Sequence, residues 1–429
     1  MSSELQITTR AQNHVLTNAN VWSFDSSSIV YDGRSDAAGS QFDGTQIERV
    51  DVRTNEVVTL YESSDGACVG VVTCSPTDDR IVFIHGPEKP TPDWSYNAWH
   101  RDGTIVAGNK VMPLDARDIV VPFTPGALRG GSHVHMFDAA GDWISFTYED
   151  HLLAQLDPDD PAHDGNQRNV GVSAPLRGVT VPHTHPRNRD GAYFTVLATR
   201  TTSRPIPGSD EIVKACEEGW INYQRPDGSR QRHALAFQGT VLAESGKPVV
   251  EVFIVELPDD LTIAGDGPLE GTATRRPAPP RGTVQRRLTF TADRQHPGLQ
   301  GPRHWLRSSP DGGRIAFLMK DDAGNLQIWT VSPHGSEPTQ VSRHPWDIAS
   351  AFTWSPDGRS IAHVMDHSVF ITDVATGEGR RLTPRTPDET SPRPEACVYS
   401  PDGNWIAFVR SLPAVNGRQN QIFIVPAVR

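Results

Sequence analysis

Three histidines stand where chemistry can use them. His133, His183 and His304 each lie eight residues before the glycine of a tight turn, and Asn18, Gly70, Ser350 and Glu395 fill the corresponding place in four other segments. Two residues further on come Asn20, His135 and His185, and the approaching segments add His14, His296, Gln300, Arg303 and Arg187. Neutral imidazole is a borderline ligand, so three such nitrogens converging on one axis can hold a divalent metal and leave a position open for water or substrate. The plain alternative is that each histidine is a satisfied structural donor at the start of a strand. In Gly131-Ser132-His133-Val134-His135, the alternation of a strand puts both imidazoles on one face.

Such a set requires a scaffold that repeats, and the chain has one. Ser309-Pro310-Asp311-Gly312, Ser355-Pro356-Asp357-Gly358 and Ser400-Pro401-Asp402-Gly403 are each followed by a short β-rich run, and their serines are 46 and 45 residues apart. Proline fixes φ, aspartate bonds its own backbone and glycine accepts φ > 0, so each motif folds one strand back on the next. The spacing is close to that of a four-stranded propeller blade. Aligning the other turns on it gives seven units, the fourth of which reads Arg189-Asp190-Gly191 followed by Tyr193-Phe194-Thr195-Val196. The expected fold is all-β, a seven-bladed propeller over residues 1–429. Leu5-Gln6-Ile7-Thr8 matches the outer strand of the repeat, and Gln421-Ile422-Phe423-Ile424-Val425 matches its third strand, so the two ends are expected to pair and close one blade.

Two insertions interrupt the repeat. Residues 87–102 carry Trp94, Tyr96, Trp99 and His100, either a platform for stacking sugar rings or a small core private to the insertion. Residues 202–231 contain Ser209-Asp210-Glu211 opening Ile212–Glu218, which predicts a short capped helix. Both should rise over one mouth of the propeller, where long loops place function. Glu149, Asp150 and His151, after the third blade's second strand, read as a source of an acid or as a solvated turn.

Composition limits the partners. With 40 Lys and Arg against 52 Asp and Glu, the net charge of −12 offers no basic face for nucleic acid or an anionic membrane. The first ten residues lack the apolar core of a signal peptide, and no run reaches membrane-spanning length. Cys68, Cys74, Cys216 and Cys397 are scattered, as expected for reduced thiols in a cytoplasmic protein. There is no Gly-x-Ser-x-Gly elbow, which argues against the propeller-bearing serine peptidases.

The Ser-Pro-Asp-Gly units resemble the TolB-type propeller repeat. FIHGPE at 83–88, LRGGSHVH at 128–135, NVGV at 169–172, QRRLT at 285–289 and PRHW at 302–305 together resemble the YidR-type proteins, which are grouped with oligogalacturonate lyases. The YidR-type resemblance implies the fold and carries no activity with it. The looser lyase resemblance implies a manganese ion held by His133, His183, His304 and Gln300. It also implies Arg303 or Arg187 on a uronate carboxylate, and His135 or His185 as the base that removes the neighbouring proton. Trp94, Trp99, Asn18 and Glu395 would then line the sugar site. The expected function is a metal-assisted lyase acting on an acidic or oxidised sugar; the alternative is a TolB-like binding propeller holding a peptide or protein partner.

Overall fold

The structure is a computed structural model that describes residues 4–415 and 417–427. Its strands form seven four-stranded antiparallel sheets and one two-stranded parallel ribbon, so the chain is a seven-bladed β-propeller. The turn motifs work as their residue types require. Ser309 Oγ donates to Asp311 Oδ1 at 2.5 Å and accepts from Arg314 N at 3.0 Å, while Gly312 takes φ +74°. The same bonds recur at Ser355 with Asp357 and at Ser400 with Asp402. The first blade keeps the device in a degenerate form, with Ser23 on Asp25 and Ser26 in the glycine's left-handed position at φ 62°.

The two ends of the chain pair as expected. Leu5 stands opposite Ile424 and Gln6 opposite Phe423, beside the strands Gly417–Pro426, Trp405–Ala414 and Pro392–Tyr399. Thr8 extends this seam, because its hydroxyl donates to Gln421 Oε1 and accepts from Ile422 N, both at 2.8 Å.

By packing, the chain divides into two compact units. The first comprises residues 1–64, 68–81 and 294–429, and the second residues 65–67 and 82–293. In the first unit, one core gathers Ile7, Trp22, Tyr31, Val398 and Ile422, and Trp22 Nε1 donates to Val398 O at 3.0 Å. In the second unit, Val172, Phe194, Leu235, Phe237 and Phe253 belong to one buried cluster. All four cysteines are free thiols. Among the described residues no helix is long and apolar enough to cross a membrane.

The second unit departs from the sequence reading in two places. Phe194–Leu197 is the outer strand of the third blade, hydrogen-bonded to Asn169–Ala174, and does not open a fourth. The fourth blade begins instead with Ile212–Gln224, so 202–231 is no insertion and the predicted helix is a strand. Ser209 and Glu211 cap a turn rather than a helix, with Ser209 Oγ donating to Ile206 O and Glu211 Oε2 accepting from Ile206 N. Pairing of this strand along Arg230–Leu242 outweighs the modest helix propensity of its residues. The turn that belongs to this blade is Pro226-Asp227-Gly228, where Gly228 has φ +85° and Gly228 N donates to Arg225 O.

Candidate functional site

The insertion 87–102 does lie between the second and third strands of its blade, Ile81–His85 and Asp102–Ala107. Asn97 caps a short 3-10 turn, Ala98–His100, by accepting from Ala98 N at 2.6 Å. That turn lies against Gly131, where a Cβ would stand 2.3 Å from Ala98 O and 2.8 Å from Arg101 N, so only glycine admits it. Arg187 holds the other end of the insertion, donating to Glu88 O at 2.8 Å and to Lys89 O at 3.1 Å.

Docked this way, the insertion brings two distant histidines together. His100 stacks on Trp94 with ring centroids 3.8 Å apart, and its Nε2 lies 3.0 Å from His151 Nδ1. The protons can be assigned along the line. Ser95 O can only accept, so His100 Nδ1, 2.8 Å away, carries the hydrogen. Burial pushes the His100 pKa down and keeps the ring neutral, so its Nε2 accepts from His151 Nδ1–H. His151 Nε2 is left with a lone pair. Burial first, then His100, Arg117 and His185, push the His151 pKa down to about 4, so this ring is also neutral near pH 7. His185 is set the other way: its Nδ1 accepts from Arg187 N at 3.1 Å, which places its proton on Nε2.

Beneath the pair lies a layer of balanced charge. Asp102 takes Arg117 Nη1 at 2.5 Å and Arg189 Nη1 at 3.1 Å, and Arg189 Nη2 lies 3.6 Å from Asp115. Asp115 also accepts from Gly103 N at 3.0 Å and Ser132 Oγ at 3.1 Å. Its carboxyl is pushed up to about 6, by burial before the opposing Arg189 and the reinforcing Asp102. The guanidinium carbons of Arg117 and Arg187 lie 5.1 and 5.5 Å from the Trp94 ring centroid, within cation–π range. With Arg117 and Arg189 matched by two carboxylates, Arg187 carries the cluster's excess positive charge.

Of the residues singled out in the sequence, Trp94, His100, His151, His185 and Arg187 lie in this cluster. His135 is fully buried, its Nε2 3.0 Å from Ser132 Oγ and its pKa pushed down to about 3 by burial, so no sugar can reach it as a base. Trp94 is also buried and stacks on His100 rather than offering a face to a sugar, while Trp99 is half-buried with its ring edge-on to His100 at 6.2 Å. Asp150 is no solvated turn residue, since it is buried on Arg129 at 2.8 Å. In the first unit, Asn18 is buried and accepts from Arg307, Glu395 pairs with Arg393, and the exposed Arg303 lies over Trp305.

The proposed metal ligands do not make a donor set. His304 Nδ1 donates to Pro302 O at 2.9 Å and its Nε2 accepts from Leu318 N at 3.2 Å, so neither nitrogen has a lone pair for an ion. His183 lies exposed in the loop before Phe194–Leu197, 3.2 Å from Asp190, and not on an inner strand. Gln300 donates to Pro297 O, and His133 is buried on the strand Gly130–Phe137. Among the described residues no three His, Cys, Asp or Glu side chains gather as ligands.

Sequence reasoning passed over Asp102, Asp115, Arg117 and Arg189. A weak signal existed: Asp115 with Arg117, and Arg187 with Arg189, are spaced by two, as charges sharing one strand face would be. It also read Glu217 and Glu218 as the last residues of a short helix. Both are buried on the first strand of the fourth blade, Glu217 at φ 53° and Glu218 accepting from Thr147 Oγ1 at 3.1 Å.

A family model described as a protein of unknown function (DUF3748) matches residues 68–189, the stretch that holds His100, Arg117, His151 and Arg187. The chain is 49% identical over 408 residues to the uncharacterized protein YidR of Escherichia coli (strain K12), covering 94% of each. The uncharacterized peptidase YuxL of Bacillus subtilis (strain 168) is 30% identical over 83 residues, 19% of this chain and 11% of that protein. Among solved structures, an oligogalacturonate lyase in complex with manganese matches with a TM-score of 0.60 at 11% identity, covering 100% of this chain and 94% of that one. An oligogalacturonate lyase from Vibrio parahaemolyticus matches at 0.58 and 9%, with the same coverage. At such identity the likeness carries the fold alone.

Proposed function

The chain belongs to the YidR family, and from that premise we propose that it is a carbohydrate-active propeller that cleaves an acidic sugar by β-elimination. The observation that carries this reading is the line from Ser95 O through His100 to His151, which leaves a lone pair on His151 Nε2 in a cluster with a guanidinium to spare. The oligogalacturonate lyases that share the fold supply the substrate class.

In this scheme the uronate carboxylate is met by Arg187 and by the Nε2–H of His185, which neutralises the charge that builds up as the carbon beside the carboxylate loses its proton. His151 Nε2 takes that proton. The freed electron pair forms the new carbon–carbon double bond, the glycosidic carbon–oxygen bond breaks, and the leaving oxygen is protonated by water. The scheme routes nothing through a metal, for which the donors above do not fit.

The pH dependence follows from His151. Its pKa of about 4 keeps it unprotonated in the free protein, and a bound carboxylate raises that value by favouring imidazolium. The limb of kcat/KM, which reports the free protein, is therefore expected near pH 4, and that of kcat at higher pH.

The test is to incubate the protein with oligogalacturonates and other uronate oligosaccharides, with and without a chelator, and follow the ultraviolet absorbance of the unsaturated product. We expect activity that survives the chelator and falls by about 100-fold or more in His151→Ala, with melting unchanged. No unsaturated product from any uronate, or an undiminished rate in His151→Ala, overturns the reading.

A further inference from the structure

The first unit holds a cavity of about 720 Å³ that nothing in the proposed reaction uses. Its walls come from the segment before the sixth blade (Trp346, Asp347), from within it (Asp366, His367), from the segment after it (Arg385, Asp388, Glu389) and from the first strand of the seventh (Pro392 to Pro394). The volume suits a small-molecule ligand. Trp346 stands at this cavity with 46% of its surface exposed, more than any other tryptophan among the described residues.

The charges around it are unevenly matched. Asp366 is taken by Arg381 Nη2 at 2.5 Å and Arg385 Nε at 2.9 Å, and these bonds fix a turn in which Asp366 and His367 both have positive φ, 43° and 56°. Arg393 is engaged with Glu395. Asp347, Asp388 and Glu389 remain, and among the described residues none of their carboxylates pairs with a guanidinium, Arg418 reaching only the backbone carbonyl of Glu389. Asp347 accepts from Leu326 N at 2.7 Å, and Asp388, its side chain 88% exposed, has only His367 Nδ1 at 3.3 Å. The guanidiniums that line the cavity are thus spent on carboxylates, and three further carboxylates share its wall with an open indole face.

We propose that this cavity binds a small organic cation, a ligand with an amine or guanidinium group attached to a flat or aliphatic body. The body would lie on Trp346, whose ring quadrupole attracts a cation, and the charge would be met by Asp388 and Glu389. An anion such as a uronate is disfavoured here, so the proposal stands apart from the reaction assigned to the second unit.

The test is a titration of the full chain with spermidine, with arginine ethyl ester and with galacturonate, followed by tryptophan fluorescence and calorimetry. Saturable binding of the two cations and none of the acid at this site is expected, with affinity falling as salt rises. Trp346→Ala should abolish that binding, and Asp388→Asn with Glu389→Gln should weaken it about tenfold, the worth of a cation–π or surface ion contact or two. These side chains are at the surface, so unchanged melting is expected for each variant. If Trp346→Ala does not fold, the loss of affinity in the carboxylate variant decides the matter alone. His151→Ala should bind both cations as the parent does. The proposal is overturned by no saturable binding of either cation, by binding that the Trp346 and carboxylate variants leave unaltered, or by galacturonate binding that depends on Trp346.

Discussion

Deleting residues 1–10 is expected to lower the melting temperature by roughly 5–10 °C and to promote aggregation. The loss is larger than that of a flexible tail because Leu5 and Gln6 form the outer strand of the seventh blade and Ile7 and Thr8 extend it. Ile7 is 2% exposed, and its amide donates to Ile422 O at 2.9 Å. Burying such a side chain contributes about 2 kcal/mol and each backbone bond about 1 kcal/mol. Glu4 also pairs at 2.9 Å with Arg410, which is 2% exposed and otherwise bonds Thr386 Oγ1 and Thr390 O. Removing Glu4 leaves a buried guanidinium without its carboxylate, at a cost of up to about 3 kcal/mol. Light scattering and thermal melts of the truncated chain provide the check. Melting within about 2 °C of the parent would show that this seam contributes little.

Asp102→Ala should be the most damaging single substitution near the histidine pair. Asp102 is 4% exposed and is the shared partner of Arg117 and Arg189, of which Arg117 also donates to Arg187 O and Arg189 to Asp115 O. Without it, the buried Arg117 and the half-buried Arg189 face one another with Asp115 as the remaining carboxylate, and a loss of about 3 kcal/mol is expected. The loss should be partly recovered in Asp102→Ala/Arg117→Leu, because the second change removes the stranded charge. Chemical denaturation of both variants reads this coupling. Equal stability of single mutant and parent would mean that the layer carries no net interaction energy. The same layer holds Arg187 O and therefore the segment bearing His185, so the single mutant should lose uronate turnover together with stability.

How much of this was legible in the residues depended on the range over which each feature is encoded. The blade repeat was legible because its signal is local: a serine, an aspartate two residues on and a glycine after that complete their bonds within five residues. The pairing of the two ends was legible as well, since 5–8 and 421–425 match complementary strands of that repeat. The identity of strands inside the second unit was not. Tyr193–Val196 has the alternation of an inner strand and serves as part of an outer one, because a period of two says which face is buried and not which neighbour a strand takes. That error displaced His183 from the position that the turn spacing assigned it beside His133 and His304.

The site depended still more on distance. His100 and His151 are 51 residues apart, and what unites them is an insertion seated on Gly131, a glycine whose need for close approach cannot be seen without the backbone that approaches it. His304 shows the converse, a residue type that promised metal chemistry until its two nitrogens were found bonded to backbone groups two residues before it and fourteen after. Residue types and spacing by themselves determined the all-β class, the seven blades and the terminal seam, since turn bonds form between near neighbours whatever the rest of the chain does. Which imidazoles meet, which carry a lone pair and which charges stay unmatched were decided only in the tertiary structure, because burial and hydrogen-bond partners are supplied by strands remote in the chain.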